Sequence, residues 1–273
     1  MAPILNHRPE LHQRPSLWIL AGTGEGPLLA EALLQQGWQL QVSLVTGAAA
    51  AAYQALLSNW PAGALELQIG ALEGPAGIAE QLRRFVSQGR AVRAVVDATH
   101  PFAQQISRDL AQVCAGQALP LLRLERDSLP SSDARLLPDL QALAAVPLAG
   151  ERVLLALGSR QLRQAVACSP GALHHARVLS NPEALQLALA AGLAPHRIAC
   201  LRPSADFAIE AALLRRWRIG TVVCRQSGGR IEALWQHVSR SCGCQLLLLQ
   251  RPSEGPGALP MEALLSKLKQ LLA

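Results

Sequence analysis

The 273-residue sequence is poor in lysine and in aromatic residues. Only two of its 25 basic residues are Lys, and Phe, Trp and Tyr together make up 3% of the chain. Proteins that bind single-stranded nucleic acid combine stacking aromatics with a basic groove, whereas the Arg residues of this chain are scattered. We therefore expect no nucleic-acid partner.

A long uninterrupted apolar run is also absent. The longest uncharged stretch, residues 32–65, contains Gly47, Asn59 and Pro61, so it predicts strand, loop and helix rather than a membrane span. Residues 1–15 are polar and lack the apolar core and cleavage site of an export signal. These features predict a cytoplasmic protein with no membrane partner.

Clustered metal ligands are missing as well. The six cysteines are dispersed, and only Cys242 and Cys244 lie close together. Without a second pair beside them, they are weak evidence for a metal site. We expect reduced, mostly buried thiols and no bound metal.

Half of the residues are apolar, and the net charge is +6. A chain of this length and composition can bury the cores of two α/β domains. Because Arg binds carboxylate and phosphate groups in a bidentate manner, its predominance over Lys favours a small anionic ligand. For any single Arg, keeping an Ala- and Leu-rich chain in solution is an equally good explanation.

Short apolar runs alternate with amphipathic stretches, a pattern typical of parallel sheets covered by helices on both faces. The predicted strands of the first half are 16–21, 40–45, 64–69, 91–97 and 119–124. Those of the second half are 152–157, 176–179, 197–201, 220–224 and 245–249. The fold class is therefore α/β, with two parallel sheets flanked by helices.

The two series are separated by residues 126–150, which are rich in Pro, Ser and Asp and contain no strong strand pattern. The predicted organisation is a polar tail at 1–15, a nucleotide-binding domain at 16–127, a linker at 128–150, a second α/β domain at 151–252 and a C-terminal helix within 253–273. The pattern of that last helix does not indicate where it packs.

A glycine-rich loop follows the first predicted strand and reads Gly22-Thr23-Gly24-Glu25-Gly26. Glycines there let the backbone approach a pyrophosphate at the start of the next helix. The spacing is GxGxG rather than GxGxxG, and many such loops are only tight turns. Its position after the first strand favours cofactor-phosphate binding.

The second predicted strand leads into Ser43-Leu44-Val45-Thr46-Gly47. An NAD-specific site would carry an acidic residue here for the ribose 2′-hydroxyl, and none is present. The absence favours NADP, whose 2′-phosphate the hydroxyls of Ser43 or Thr46 would hold. An unspecialised loop would have the same appearance.

The fourth predicted strand runs into Thr99-His100-Pro101-Phe102. Pro101 suits the first position of the next helix, with His100 or Thr99 as its cap, and residue type alone favours this structural role. The functional alternative places Thr99 and His100 beside the glycine loop, where His100 would donate a proton near a nicotinamide or substrate.

Two loops of the second half combine small residues with an Arg. They read Gly158-Ser159-Arg160 and Arg225-Gln226-Ser227-Gly228-Gly229. Such turns form nests for carboxylates, although ordinary turns with surface arginines are about equally plausible for each. Their equivalent positions after two strands favour the anion-binding interpretation.

Together these motifs resemble the precorrin-6A reductases of cobalamin biosynthesis, including their cobalt-precorrin-6A counterparts. The matching segments are ILAGTGE at 19–25, VDATHPFA at 96–103, LRLER at 122–126, LGSR at 157–160, RVL at 177–179, QSGG at 226–229 and RP at 251–252. They occur in the family's order over nearly the whole chain.

The resemblance implies an NADPH-dependent oxidoreductase that transfers hydride to one double bond of a macrocyclic tetrapyrrole, giving precorrin-6B or its cobalt form. It also implies two Rossmann-like domains with the active site in the cleft between them. NADPH would lie on the first domain, with its phosphates at residues 22–26, its ribose near 43–47 and its nicotinamide beside 99–102.

The same resemblance assigns the polycarboxylate substrate to the second domain. Its carboxylates would bind Gly158, Ser159 and Arg160 in one loop, and the residues from Arg225 to Gly229 in the other. His100, with Thr99, becomes a candidate for positioning or protonation.

Two other functional classes stay open. An NAD(P)-binding isomerase or dehydratase of anionic small molecules commonly needs a Tyr-x-x-x-Lys pair, but the single tyrosine, Tyr53, is followed by Leu57. A non-catalytic two-lobed anion-binding protein would bind no nicotinamide cofactor. We take a monomer as the working state.

Overall fold

The computed structural model describes residues 15–22, 24–130, 133–202, 207–253 and 257–272. Thr23 and nearly all of the predicted tail therefore lie outside the described residues. The strands are β1 (Ser16–Ala21), β2 (Gln39–Leu44), β3 (Leu65–Ile69), β4 (Val92–Ala98), β5 (Leu121–Leu124), β6 (Ala134–Leu137), β7 (Arg152–Ala156), β8 (Leu173–Val178), β9 (Ile198–Cys200), β10 (Thr221–Arg225), β11 (Gln245–Leu249) and β12 (Ala258–Leu259).

The helices lie mostly between consecutive strands. They are α1 (Glu25–Gln35), α2 (Gly47–Ala50), α3 (Gln54–Asn59), α4 (Gly74–Ser87), α5 (Gln104–Gly116), α6 (Leu162–Cys168), α7 (Pro182–Ala190), α8 (Ala208–Trp217), α9 (Gly229–Ser241) and α10 (Met261–Gln270). Within the described ranges, none of them combines the length and apolar character needed to cross a membrane.

All strand pairs are parallel, and they form two six-stranded sheets. The first sheet has the order β3-β2-β1-β4-β5-β12, and the second has the order β9-β8-β7-β10-β11-β6. Both follow the doubly wound arrangement, in which the strand order reverses between β1 and β4 and between β7 and β10. The predicted α/β class with two parallel sheets is confirmed.

The chain divides into two compact units. The first unit comprises the residues up to Arg126 together with those from Ser253 onward, and the second comprises 127–252. The first sheet therefore receives its last strand, β12, only after the chain has completed the second unit.

Residues 128–150 differ from the expected linker. They contain β6, which pairs with β11 at the edge of the second sheet, and a 3₁₀ helix at Gln141–Ala145. The strand has only four residues and is bounded by Pro138, so its apolar run is too short to stand out in the sequence.

The C-terminal segment also contains more than the expected helix. The two residues of β12 pair with Arg123 and Leu124 of β5. In α10, Leu264 and Leu268 are buried in the same core cluster as residues of β1 and α1. This contact identifies the packing surface that the sequence pattern did not indicate.

Burial on both faces explains why the central strands are almost purely apolar. All six residues of β1 are buried, as expected for a strand inside a parallel sheet. On one face of the first sheet, the ring of Trp18 packs edge-on against Phe85 of α4, with ring centroids 5.4 Å apart. The rigid sheet fixes the positions of the loops that leave its carboxyl edge.

Candidate functional site

The glycine loop and the Thr99 segment leave neighbouring strands at the switch point of the first sheet. In the register of β1 and β4, Leu20 is opposite Asp97 and Ala21 is opposite Ala98. Gly22 directly follows the end of β1, and Thr99 directly follows the end of β4. The structure therefore brings these two predicted site segments together at the edge where doubly wound sheets bind ligands.

The glycines of the first loop have different environments. Gly22 and Gly24 are exposed, and a Cβ added to either would meet no atom within 4 Å. Gly26 is buried, and its Cβ would lie 2.3 Å from the Tyr53 hydroxyl oxygen and 2.9 Å from the Ala21 Cβ. Gly22 and Gly24 thus leave room for a ligand, whereas Gly26 allows α1 to pack closely.

Glu25, in the first turn of α1, forms an ion pair with Arg126. Its Oε2 lies 3.2 Å from Nη2 of Arg126, whose side chain is only 7% exposed. The pair joins the glycine loop to the segment after β5 and offsets a negative charge where cofactor phosphates are expected. Arg126 belongs to the family-like segment LRLER at 122–126, but no local sequence pattern indicates that Glu25 is its partner.

The residues predicted near the adenosine ribose fall into two groups. Ser43 lies inside β2, is buried and accepts a hydrogen bond from the Trp18 indole nitrogen at 2.9 Å. Thr46 and Gly47 are exposed at the start of α2. Of the two predicted hydroxyls, only that of Thr46 is on the surface beyond the strand.

Asp97 organises the segment after β4, although it was not among the predicted site residues. Its Oδ1 accepts hydrogen bonds from the backbone nitrogen of Thr99 at 3.0 Å and from the Thr99 hydroxyl at 2.7 Å. Its Oδ2 forms an ion pair with Arg123, which also donates to the Ser107 hydroxyl. The DATHPF motif contained this residue, but its partner on β5 is 26 residues away.

His100 adopts a local turn rather than a helix cap. Its Nδ1 accepts a hydrogen bond from the backbone nitrogen of Phe102 at 3.2 Å, and the two rings lie 5.7 Å apart. A neutral His100 with this hydrogen bond carries its proton on Nε2. The capping expectation is wrong, because α5 begins at Gln104 and Pro101 is buried in the preceding turn.

The two small-residue loops of the second unit meet in the same way. β7 and β10 are paired, and the guanidinium of Arg225 lies over Gly158, 3.4 Å from the position of an added Cβ. Gly158 has a φ of 87°, which favours glycine. Nε and Nη2 of Arg225 both donate to Oε1 of Gln161, at 2.9 and 2.7 Å.

The turn that begins α9 is already partly bonded within the chain. Gly228 and Gly229 have φ values of 67° and 65°, in the left-handed region that favours glycine. Glu232, which is fully buried, accepts a hydrogen bond from the Gly228 backbone nitrogen at 2.7 Å. Ser227 is buried beside them. A ligand carboxylate at this turn must therefore use donors other than the Gly228 amide.

Ser159 and Arg160 begin the 3₁₀ helix Ser159–Gln161, directly after Gly158. The Arg160 side chain is 82% exposed, and its Nη2 lies 3.3 Å from Oε1 of Glu183. An exposed pair of this kind is weak and easily exchanged. Arg160 thus lies beside the predicted site, with its guanidinium in solvent.

Comparison with known proteins identifies the family. A family model described as "Precorrin-6x reductase CbiJ/CobK" matches residues 16–273. The chain belongs to this family.

Relatives of the precorrin-6x reductase family cover most of the chain. It is 33% identical over 250 residues to the cobalt-precorrin-6A reductase of Synechocystis sp., covering 89% of this chain and 91% of that protein. It is 31% identical over 243 residues to the precorrin-6A reductase of Rhodobacter capsulatus, covering 87% and 88%. The solved structure named "CobK precorrin-6A reductase" superposes with a TM-score of 0.68 at 29% identity, covering 94% and 97%.

Membership in the precorrin-6x reductase family makes the protein an oxidoreductase of cobalamin biosynthesis that acts on a carbon–carbon double bond. That activity is consistent with a nicotinamide cofactor. The resemblance drawn from the sequence is confirmed. The roles of individual residues stay predictions.

The burial of Tyr53, the single tyrosine of the sequence, argues against the isomerase or dehydratase alternative. Tyr53 is 2% exposed, and its hydroxyl is buried against Gly26 without a hydrogen-bond partner among the described residues. Burial raises the pKa of this hydroxyl. Proton transfer to a bound substrate would need an accessible hydroxyl, which Tyr53 does not offer.

Proposed function

We propose that this protein reduces one double bond of precorrin-6A or cobalt-precorrin-6A with hydride from NADPH, producing the corresponding precorrin-6B. Relatives named for both substrates align over most of the chain. The observation that carries the proposal is the pairing of β1 with β4, which brings the open Gly22, directly after β1, next to Thr99, directly after β4.

The first loop fits a dinucleotide. Gly24 is the residue before α1, and the open space above Gly22 and Gly24 lets a pyrophosphate reach the helix amides. The exposed Thr46 hydroxyl is the group we assign to the 2′-phosphate of NADPH, since Ser43 is engaged by Trp18. The ion pair of Glu25 with Arg126 limits its repulsion of the phosphates.

The bound dihydronicotinamide supplies the hydride, and the protein orients the two ligands. Asp97 fixes Thr99, which with Pro101 and Phe102 lines the nicotinamide side. His100, which in its neutral form carries a proton on Nε2, uses that N–H to hydrogen-bond and position the substrate, and the proton that completes the reduction comes from solvent.

The second unit binds the substrate carboxylates in this proposal. Arg225 is the principal receptor, because its two hydrogen bonds to Gln161 hold the guanidinium in place before the ligand arrives. Gly158, with Ser159 and Arg160, forms one wall of the receptor, and the turn at 227–229 forms the other.

The test is the loss of NADPH absorbance by purified protein with precorrin-6A, with and without cobalt, and with NADH as the control cofactor. Oxidation that requires the tetrapyrrole and favours NADPH supports the proposal. The His100→Ala variant is expected to lower kcat by roughly a hundredfold with little change in either KM, because the substrate would no longer be held in the reactive position. NADPH binding without oxidation would contradict the assigned substrate, and no binding would contradict the nucleotide site.

A further inference from the structure

A basic cavity of about 450 Å³ lies at the opposite edge of the second sheet from Arg225. It is lined by residues at the amino ends of three strands, namely Arg152 at the start of β7, His175 near the start of β8 and Arg197 directly before β9. Arg216 and Trp217, at the end of α8, complete it together with His196 and the apolar Leu173. Nothing in the proposed reductase reaction uses this edge.

The charge of this amino-edge cavity is not balanced from within. Three arginines and two histidines line it, and none of the described residues in its wall is acidic. Among the described residues, the guanidinium groups of Arg197 and Arg216 have no hydrogen-bond or ion-pair partner. The carboxylate of Glu151, the neighbour of Arg152 in the chain, lies against Gly220 and is not part of the wall.

One side of the cavity is rigid. His175 is 4% exposed, and its ring packs at a tilt of 37° against the Trp217 ring, with centroids 4.9 Å apart. Arg152 donates from Nη1 to the Trp217 carbonyl oxygen at 3.2 Å. These contacts fix a cation and an aromatic wall before any ligand binds, whereas Arg197 and Arg216 retain their donors.

The protonation equilibrium of His175 is affected by the same excess of positive charge in the cavity. Burial lowers the pKa of His175, the hydrogen bond to the Leu173 carbonyl opposes this, and the nearby Arg197, Arg152 and His196 each lower the pKa by a smaller amount. Crowded cations without a counter-charge are stabilised when an anion binds between them.

We infer that the amino-edge cavity is a binding site for a small multivalent oxyanion, carrying phosphate or carboxylate groups. The arginines supply bidentate donors for such groups, and the volume accommodates a molecule of several oxyanions. The five residues of β7, a length of roughly 16 Å, separate this cavity from Gly158 at the carboxyl edge. The site is therefore distinct from the substrate receptor of the proposed function.

The test is isothermal titration calorimetry on the full chain, with inorganic pyrophosphate and citrate as separate probes. Saturating NADP⁺ is present throughout, so that the nucleotide site of the proposed function does not contribute. The double variant Arg197→Gln/Arg216→Gln removes the two unpaired guanidinium groups. Arg215→Gln is the matched control, because Arg215 is the exposed neighbour of Arg216 on α8 and lies outside the cavity wall.

We expect at least one probe to bind the wild type, and the double variant to bind it about tenfold more weakly or worse. Arg215→Gln is expected to stay within about twofold of the wild type. A preference for pyrophosphate identifies a phosphate ligand, and a preference for citrate identifies a carboxylate ligand. The inference is overturned if neither probe binds, if the double variant binds as the wild type does, or if Arg215→Gln weakens binding equally. Because no turnover is measured, these outcomes are independent of the reductase activity.

Discussion

The Asp97 carboxylate oxygen Oδ1 accepts hydrogen bonds from both the backbone nitrogen and the hydroxyl of Thr99, at 3.0 and 2.7 Å. Its other oxygen pairs with Arg123. The Asp97 side chain is 2% exposed, and a carboxylate at that depth is stable only while it is paired. One buried acid therefore fixes the turn that carries His100.

Replacing this acid tests its structural role. Asp97→Asn removes the charge that compensates Arg123, so we expect the free energy of unfolding to fall by about 3 kcal/mol. Ser107→Ala, which removes the neutral partner of Arg123 and a long hydrogen bond from the Ser107 hydroxyl to the Ala103 carbonyl, is expected to cost about 1 kcal/mol. Urea denaturation of both variants measures the difference. Equal losses would show that the Asp97 charge does not hold this turn.

The two environments of the loop glycines predict opposite phenotypes. Gly26→Ala is expected to lower the free energy of unfolding by about 1–3 kcal/mol, because its Cβ would collide with Ala21 and Tyr53. Gly24→Ala meets no atom within 4 Å, so it should leave stability nearly unchanged and weaken NADPH binding. Thermal unfolding and fluorescence titration measure the two properties. Tight NADPH binding by Gly24→Ala would argue against a phosphate at that glycine.

Replacing Arg225 is expected to weaken the binding of the tetrapyrrole substrate. Arg225→Lys keeps the charge but cannot form both hydrogen bonds to Gln161, so we expect KM for the tetrapyrrole to rise roughly tenfold. Gln161→Leu should change KM in the same direction by releasing the guanidinium. The exposed Arg163→Lys serves as the control. A comparable rise in KM for NADPH in the Arg225 variant would remove Arg225 from the substrate site.

Stability at alkaline pH should depend on Cys114. Burial raises the pKa of its thiol to about 11, so the unfolded chain loses this proton at lower pH than the folded protein does. The free energy of unfolding therefore falls as pH rises from about 9 to about 11. Denaturation across this range is expected to show a shallower fall for Cys114→Ala. Tyr53 and Cys224, whose pKa values burial also raises, are present in both proteins, so parallel curves would contradict the assignment to Cys114.

The sequence predicted the elements that are long and apolar, and it missed those defined by partners. The runs of β1 and β4 were evident, and with them the meeting of the glycine loop and Thr99 at one edge. The two residues of β12 are strand only because β5 pairs with them, and no periodicity exists in so short a segment.

The site contacts that the sequence did not predict also depend on partners that only the fold brings together. Asp97 and Arg123 were both visible in motifs, but the ion pair between them depends on the neighbouring positions of β4 and β5. In the sequence, Glu232 is indistinguishable from other acidic residues of a helix. In the structure, its carboxylate accepts a hydrogen bond from the Gly228 amide. Residue type predicted the chemistry of these groups, and only the fold assigns their partners.

Hydride transfer to carbon is tested most directly with NADPH that carries deuterium at the transferred position of the nicotinamide. We expect the reduced tetrapyrrole to gain one extra mass unit relative to the product formed with unlabelled NADPH. A product without the label, formed in a reaction that still requires NADPH, would contradict direct hydride transfer by this protein.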